Sequence, residues 1–206
     1  MREEAQRIAG RLEGTLRVPD TEPTAVAVIA HPLPTHGGTM RNPLMATLAR
    51  AVAEQGWYAL RFNFRGVGAS AGEWSGGRHE HEDLADAVAH ARQIAAAVPL
   101  VVVGFSFGAV TVLRWMASGG RPDALALLGL PLRSATETPR ELPPVPAGAL
   151  VVNGEHDEFG SADEIRQAYP EARVVEVRSA DHFFTGKRED LARIVTDALR
   201  EQLRAR

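Results

Sequence analysis

Three residues of this chain have the types and placing for nucleophilic acyl chemistry. Ser106 stands in Gly104-Phe105-Ser106-Phe107-Gly108, directly after an apolar run and directly before an apolar helical pattern. A serine in a sharp strand-to-helix turn is lifted clear of the sheet. Glycines two before and two after let the two backbones approach. The helix start behind it supplies oriented N–H groups and positive potential where negative charge would develop. A serine hydroxyl is a weak nucleophile until a neighbouring base takes its proton, and a base is held best by a third group. His182, in Ser179-Ala180-Asp181-His182-Phe183, supplies the base. Asp157, in Asn153-Gly154-Glu155-His156-Asp157, supplies the orienting acid. Each follows a strand-like run, and functional groups of open parallel sheets gather outside the carboxyl ends of strands. Glu155, Glu158, Asp163 and Asp181 are rival acids, read as caps, turns or solvated charges.

These residues need a scaffold, and the apolar pattern describes one. Short apolar runs at Ala25–His31, Tyr58–Phe64, Leu100–Phe105, Ala124–Leu130 and Ala149–Asn153 lack alternation, as strands buried on both faces do. Arg173–Arg178 alternates with charge and reads as an edge. Leu12–Val18 precedes the first buried run with no room for a helix between them, so it should pair antiparallel at the sheet edge. Helical stripes alternate with the strands. Asn42-Pro43 opens one that Gly56 closes, and Leu84 to Val98 form another, stopped by Pro99. Ser106–Ala117 is apolar nearly all round and ends at Gly119-Gly120. Ser161 and Glu164 form a capping box, and Leu191, Ile194, Val195, Ala198 and Leu199 face a core. The expectation is one α/β domain over residues 1–206, with a mostly parallel sheet of about seven strands and helices on both faces.

Composition narrows the chemistry further. The net charge is −3, with no clustered basic surface for nucleic acid. There is no cysteine, which removes disulfides, thiolate catalysis and cysteine zinc sites. Of the seven histidines, His79 and His81 are two apart at a helix start and do not share a face. No metal or other cofactor is expected. Gly66-Val67-Gly68 lacks the third glycine and following helix of a dinucleotide loop. Asn63, Arg65, Gly66, Gly68 and Ser70 are read as a tight structural loop tied down by Arg65. His31 and His36 flank another loop and are expected to hold it by hydrogen bonds. No apolar run is long enough for a membrane span and no secretory signal is read at the start, so a cytoplasmic protein is expected.

With these residues in place, the chain resembles a small member of the α/β-hydrolase superfamily over about residues 11–204. Within it, the chain is similar to the compact lidless group with a His-Pro-x-Pro loop, akin to dienelactone hydrolases. The matching segments are His31-Pro32-Leu33-Pro34, Gly37-Gly38-Thr39-Met40, Arg61 to Ser70 and Gly104 to Gly108. Dienelactone hydrolases proper use cysteine where this chain has Ser106. Serine, then aspartate, then histidine is the superfamily's chain order. The resemblance implies an oxyanion hole from the N–H of Phe107 and one N–H past the first buried strand. Pro32 and Pro34 cannot donate, which leaves Leu33, with Thr35 or a side chain as alternatives. The connector Pro131–Gly148, at 18 residues, is too short for a helical cap. An open site is therefore expected, with Leu33, Phe107, Leu132, Phe159 and Phe183 as apolar lining. The implied activity is hydrolysis of small-molecule esters with short or medium acyl groups. A thioesterase or peptidase with the same triad, or a catalytically idle scaffold that binds a partner, are the alternatives.

Overall fold

The computed structural model describes residues 1–133 and 142–205. Eight strands form one sheet: β1 (Arg2–Ile8), β2 (Leu12–Val18), β3 (Val26–Ala30), β4 (Tyr58–Phe62), β5 (Leu100–Phe105), β6 (Ala124–Leu128), β7 (Leu150–Gly154) and β8 (Arg173–Val177). Their order across the sheet is β1-β2-β4-β3-β5-β6-β7-β8. From β4 to β8 every pairing is parallel, while β1 with β2 and β2 with β4 are antiparallel. Helices α1 (Pro43–Glu54), α2 (Glu80–Ile94), α3 (Phe107–Ala117), α4 (Ala162–Ala168) and α5 (Arg188–Arg204) cover the two faces.

Strict alternation along the central strands divides the interior in two. Val26, Val28 and Ala30 of β3 join Leu100 and Val102 of β5 against Leu84, Val110 and Leu113 of α2 and α3. The intervening Ala27 and Ile29, with Val101, Val103 and Phe105, meet Leu44, Leu48, Leu191 and Val195 of α1 and α5. Both faces are buried, which is why these strands read as continuous apolar runs. Each fully buried Val or Leu contributes about 1.5–3 kcal/mol over its exposed state. Helix starts follow their caps. Asn42 Oδ1 accepts from Leu44 N at 2.9 Å with Pro43 in the first turn. The Ser161–Glu164 capping box opens α4.

The structure departs from the sequence expectation at three places. The sheet has eight strands rather than about seven, and β2 is not the edge. β1 pairs with it through the three residues Ala9, Gly10 and Arg11, where Ala9 and Gly10 take positive φ and Arg11 N donates to Ile8 O at 2.9 Å. Only Ile8 of β1 is buried, so that strand carries almost no apolar signal. α2 ends at Ile94, with Ala95 as its cap, so Val98 lies beyond it. Between β6 and β7 the described residues contain no helix; residues 134–141 of the connector lie outside the described residues.

Candidate active site

The parallel strands deliver the predicted residues to one end of the sheet. Ser106 follows β5 with φ 54° and ψ −116°, a conformation that costs a non-glycine residue strain. The turn is pinned by Ser106 N donating to Leu128 O at 2.8 Å and by Ala109 N donating to Ser106 O at 2.9 Å. The flanking glycines are required by contact. A Cβ at Gly104 would stand 2.5 Å from Gly108 O, and one at Gly108 would stand 2.3 Å from Ala30 O. The helix start is thereby packed directly on the end of β3.

His182 Nε2 lies 2.9 Å from Ser106 Oγ, and its Nδ1 lies 2.9 and 3.0 Å from the two Asp157 carboxylate oxygens. Asp157 accepts only, so Nδ1 carries the proton and Nε2 is free to accept from the hydroxyl. Both partners are buried, at 4% exposure for Asp157 and 5% for His182, so little water competes for these bonds. Asp157 is itself held: Oδ1 accepts from Phe159 N at 3.0 Å and Oδ2 from Asn153 Nδ2 at 3.4 Å. Asn153 also donates to Gly160 O at 2.8 Å and so braces the whole turn after β7. At Gly154 a Cβ would meet Ala180 O at 2.4 Å, so the turns carrying Asp157 and His182 touch there. A Cβ at Gly129 would stand 3.1 Å from His182 Cε1, and its absence leaves space for the imidazole.

Three of the rival acids have their carboxylates engaged elsewhere. Glu155 accepts from Ser179 N, Asp181 from Thr185 N, and Asp163 pairs with Arg166. Glu158 contributes its backbone oxygen to Arg133.

Past β3 the chain turns through a 3-10 segment, Pro34–His36. Among the described residues no acceptor meets Leu33 N or Phe107 N, and both residues line the cleft beside Ser106. The cleft holds about 710 Å³ of empty space, its open mouth included. Phe159 and Phe183 line it and stand edge-on to His182, with centroids 4.6 and 5.2 Å away. Phe183 is 53% exposed.

Leu132 is not brought to this cleft. Its side chain packs on the core and beside Gly160 while its N–H donates to Phe159 O, and Pro131 takes the lining place. Pro32, His36, Gly37, Gly38 and Asn42 also line it. The sequence offered no periodic signal for these loop positions; Asn42 was visible only as a helix cap.

His31 is fully buried. Its Nδ1 lies 2.7 Å from Pro32 O, its Nε2 accepts from Phe64 N at 3.3 Å, and burial pushes its pKa down to about 4. The loop after β4 supports the floor of the site. Phe64 packs edge-on against both His31 and Phe107, and Trp74 against Phe107. Arg65 ties that loop to buried Asp83, as expected, through side-chain and backbone donors at 2.9–3.1 Å. Asn63 joins Met40 N to Glu13 at 2.8 and 2.7 Å. Among the described residues no group of His, Asp or Glu side chains is arranged to hold a metal ion. None of their helices is long and apolar enough to cross a membrane.

Known proteins carry the same architecture. The structure is similar to XC6422 from Xanthomonas campestris, described as a serine hydrolase without lid. That match has 29% identity and a TM-score of 0.85, over 98% of this chain and 95% of that one. It is also similar to an alpha-beta serine hydrolase homologue from Coxiella burnetii, at 29% identity and TM-score 0.82, over 96% and 97% of the two chains. The uncharacterized protein RP471 of Rickettsia prowazekii is 26% identical over 201 residues, covering 92% of this chain and 84% of its own. The alpha/beta hydrolase domain family model matches residues 23–202. With a lidless relative matching nearly end to end and the family pattern spanning β3 to α5, the chain belongs to the alpha/beta hydrolase family, among its members without a cap.

Proposed function

We propose that this hydrolase cleaves small carboxylic esters with short or medium acyl groups, through an acyl-enzyme on Ser106. The observation that carries this reading is the continuous chain from Ser106 Oγ through His182 to Asp157, with each link at 2.9–3.0 Å. In the first half-reaction Ser106 Oγ attacks the carbonyl carbon as its proton passes to His182 Nε2. The carbonyl oxygen becomes an oxyanion and accepts from the N–H groups of Leu33 and Phe107. The tetrahedral species collapses, the C–O bond to the alcohol breaks, and Nε2 returns its proton to the departing alkoxide. Water then attacks the acyl carbon while Nε2 takes its proton. Collapse expels Ser106, which regains that proton, and the carboxylic acid leaves. Asp157 holds the imidazole in the required tautomer and stabilises the imidazolium.

The cleft supports the choice of substrate. Its walls are largely apolar, which suits an uncharged acyl chain, and Phe159 and Phe183 flank His182 in its lining. The test is a panel of p-nitrophenyl esters from acetate to decanoate, matched thioesters and anilides, with Ser106→Ala as control. Ester turnover falling off at long chains, absent in Ser106→Ala, is expected. Faster turnover of thioesters or anilides than of every ester would move the activity to that class.

A further inference from the structure

The Pro32–Leu33 peptide presents its two polar atoms in opposite directions. The unit is trans and planar, so the Pro32 carbonyl points away from the Leu33 N–H. The carbonyl is held from the protein interior, where His31 Nδ1 lies 2.7 Å away. The imidazole is held in turn, because Nε2 accepts from Phe64 N–H at 3.3 Å and the ring is fully buried against Phe64. One nitrogen accepting a backbone N–H fixes the other as the donor. Gly38 closes the arrangement from the far side: a Cβ there would stand 2.1 Å from Pro32 O, so the turn is wrapped tightly on that oxygen.

We infer that His31 is a positioning residue of the oxyanion site: by anchoring the Pro32 carbonyl it aims the Leu33 N–H at the place where the oxyanion forms. The inference rests on the esterase reading above and adds a residue that touches neither substrate nor triad. The alternative orientation of the same peptide would turn the Pro32 oxygen into the cleft, where it would repel an oxyanion instead of stabilising it. Pro34 restrains Leu33 to an extended ψ of 118°, but proline on either side does not fix which face of the peptide looks into the site. The imidazole does. Hydrogen bonding at the carbonyl also polarises the peptide, which makes its N–H a better donor. No charged side chain is needed for this, and burial keeps His31 neutral, with one nitrogen free to accept.

The test is a double-mutant cycle on the rate at which a fluorophosphonate labels Ser106, whose phosphoryl oxygen also needs the oxyanion donors. Leu33→Pro deletes the donor and should slow labelling about 10²–10³-fold. His31→Leu should slow it about 10–100-fold, the scale of a misaimed catalytic group. In the Leu33→Pro background, His31→Leu should change the rate by no more than about 2-fold, because the N–H it positions is gone. His31→Asn keeps an N–H near the place of Nδ1, and His31→Gln places its amide near Nε2 instead. Asn should label about 10-fold faster than Gln. If His31→Leu does not fold, the Asn and Gln pair is run in both backgrounds. A packing role predicts additive losses and equal rates for Asn and Gln, and either result overturns the inference alone. A wild-type protein that the probe does not label overturns both this inference and the esterase reading.

Discussion

Leu33→Pro is expected to remove the proposed second oxyanion donor with little other disturbance. Leu33 has φ −54°, within the range that a proline ring imposes, and its N–H meets no acceptor among the described residues. The φ of Leu33 therefore suits proline, and no structural hydrogen bond of its N–H is lost. Proline at a compatible position stabilises by about 0.4–1 kcal/mol through the unfolded chain. Loss of a half-buried leucine side chain that packs on the core costs a comparable amount or somewhat more. The melting temperature should thus move by only a few degrees. Activity should respond far more: one of two oxyanion donors is worth about 10²–10³ in kcat, or about 2.7–4 kcal/mol. KM should change little, because the donor acts on charge that develops after binding. Leu33→Ala keeps the N–H and controls for side-chain loss; it should alter acyl preference and leave kcat within about 10-fold. The assay is steady-state hydrolysis of p-nitrophenyl butyrate beside a melting curve for each protein. A folded Leu33→Pro enzyme with wild-type kcat would refute the assignment of Leu33 as donor.

Other perturbations test separate parts of the account. Asp157→Asn should lower kcat/KM by a factor on the order of 10⁴, since an amide can donate where Nδ1–H needs an acceptor; near-normal ester turnover would move the orienting role to another acid. Gly108→Ala forces a Cβ to 2.3 Å from Ala30 O, so α3 must move off β3. Thermal unfolding should report a loss of about 1–3 kcal/mol, and kcat should fall with it because both oxyanion donors straddle that contact. His31 has a native pKa of about 4 against 6.5 unfolded, so over that interval the unfolded chain binds the extra proton. Its stabilisation is complete above about pH 6.5 and is lost as pH falls toward 4, by about 3 kcal/mol in all. Urea midpoints should drop across that window, and drop less in His31→Asn.

The parts of this protein legible in its sequence are those fixed by burial and by steric demand. Strands β3 to β7 announce themselves because both faces are covered, and the Gly104 and Gly108 pair flanks a serine that only such spacing can accommodate. Strand β1 was silent for the opposite reason: one buried side chain, Ile8, gives no alternation to read. Ser106, Asp157 and His182 could be picked out because each follows a recognisable strand. Asn153, near the end of β7, and Gly129, just past β6, steady Asp157 and make room for the imidazole but look like ordinary strand and turn residues. Apolar character does not say which way a loop residue points, so the sequence does not reveal that Leu132 packs inward while Pro131 lines the cleft. The role of His31 depends on a hydrogen bond to its own neighbour's carbonyl and another across 33 residues, and no local pattern encodes the second.

The central claim is that Ser106 is the nucleophile, made reactive by His182. Peptide mapping by mass spectrometry after treatment with a fluorophosphonate tests it most directly. One equivalent of adduct on Ser106 is predicted, absent in Ser106→Ala and formed far more slowly in His182→Ala. An adduct on Ser70, Ser75 or Ser118, or labelling that is indifferent to His182, would contradict it.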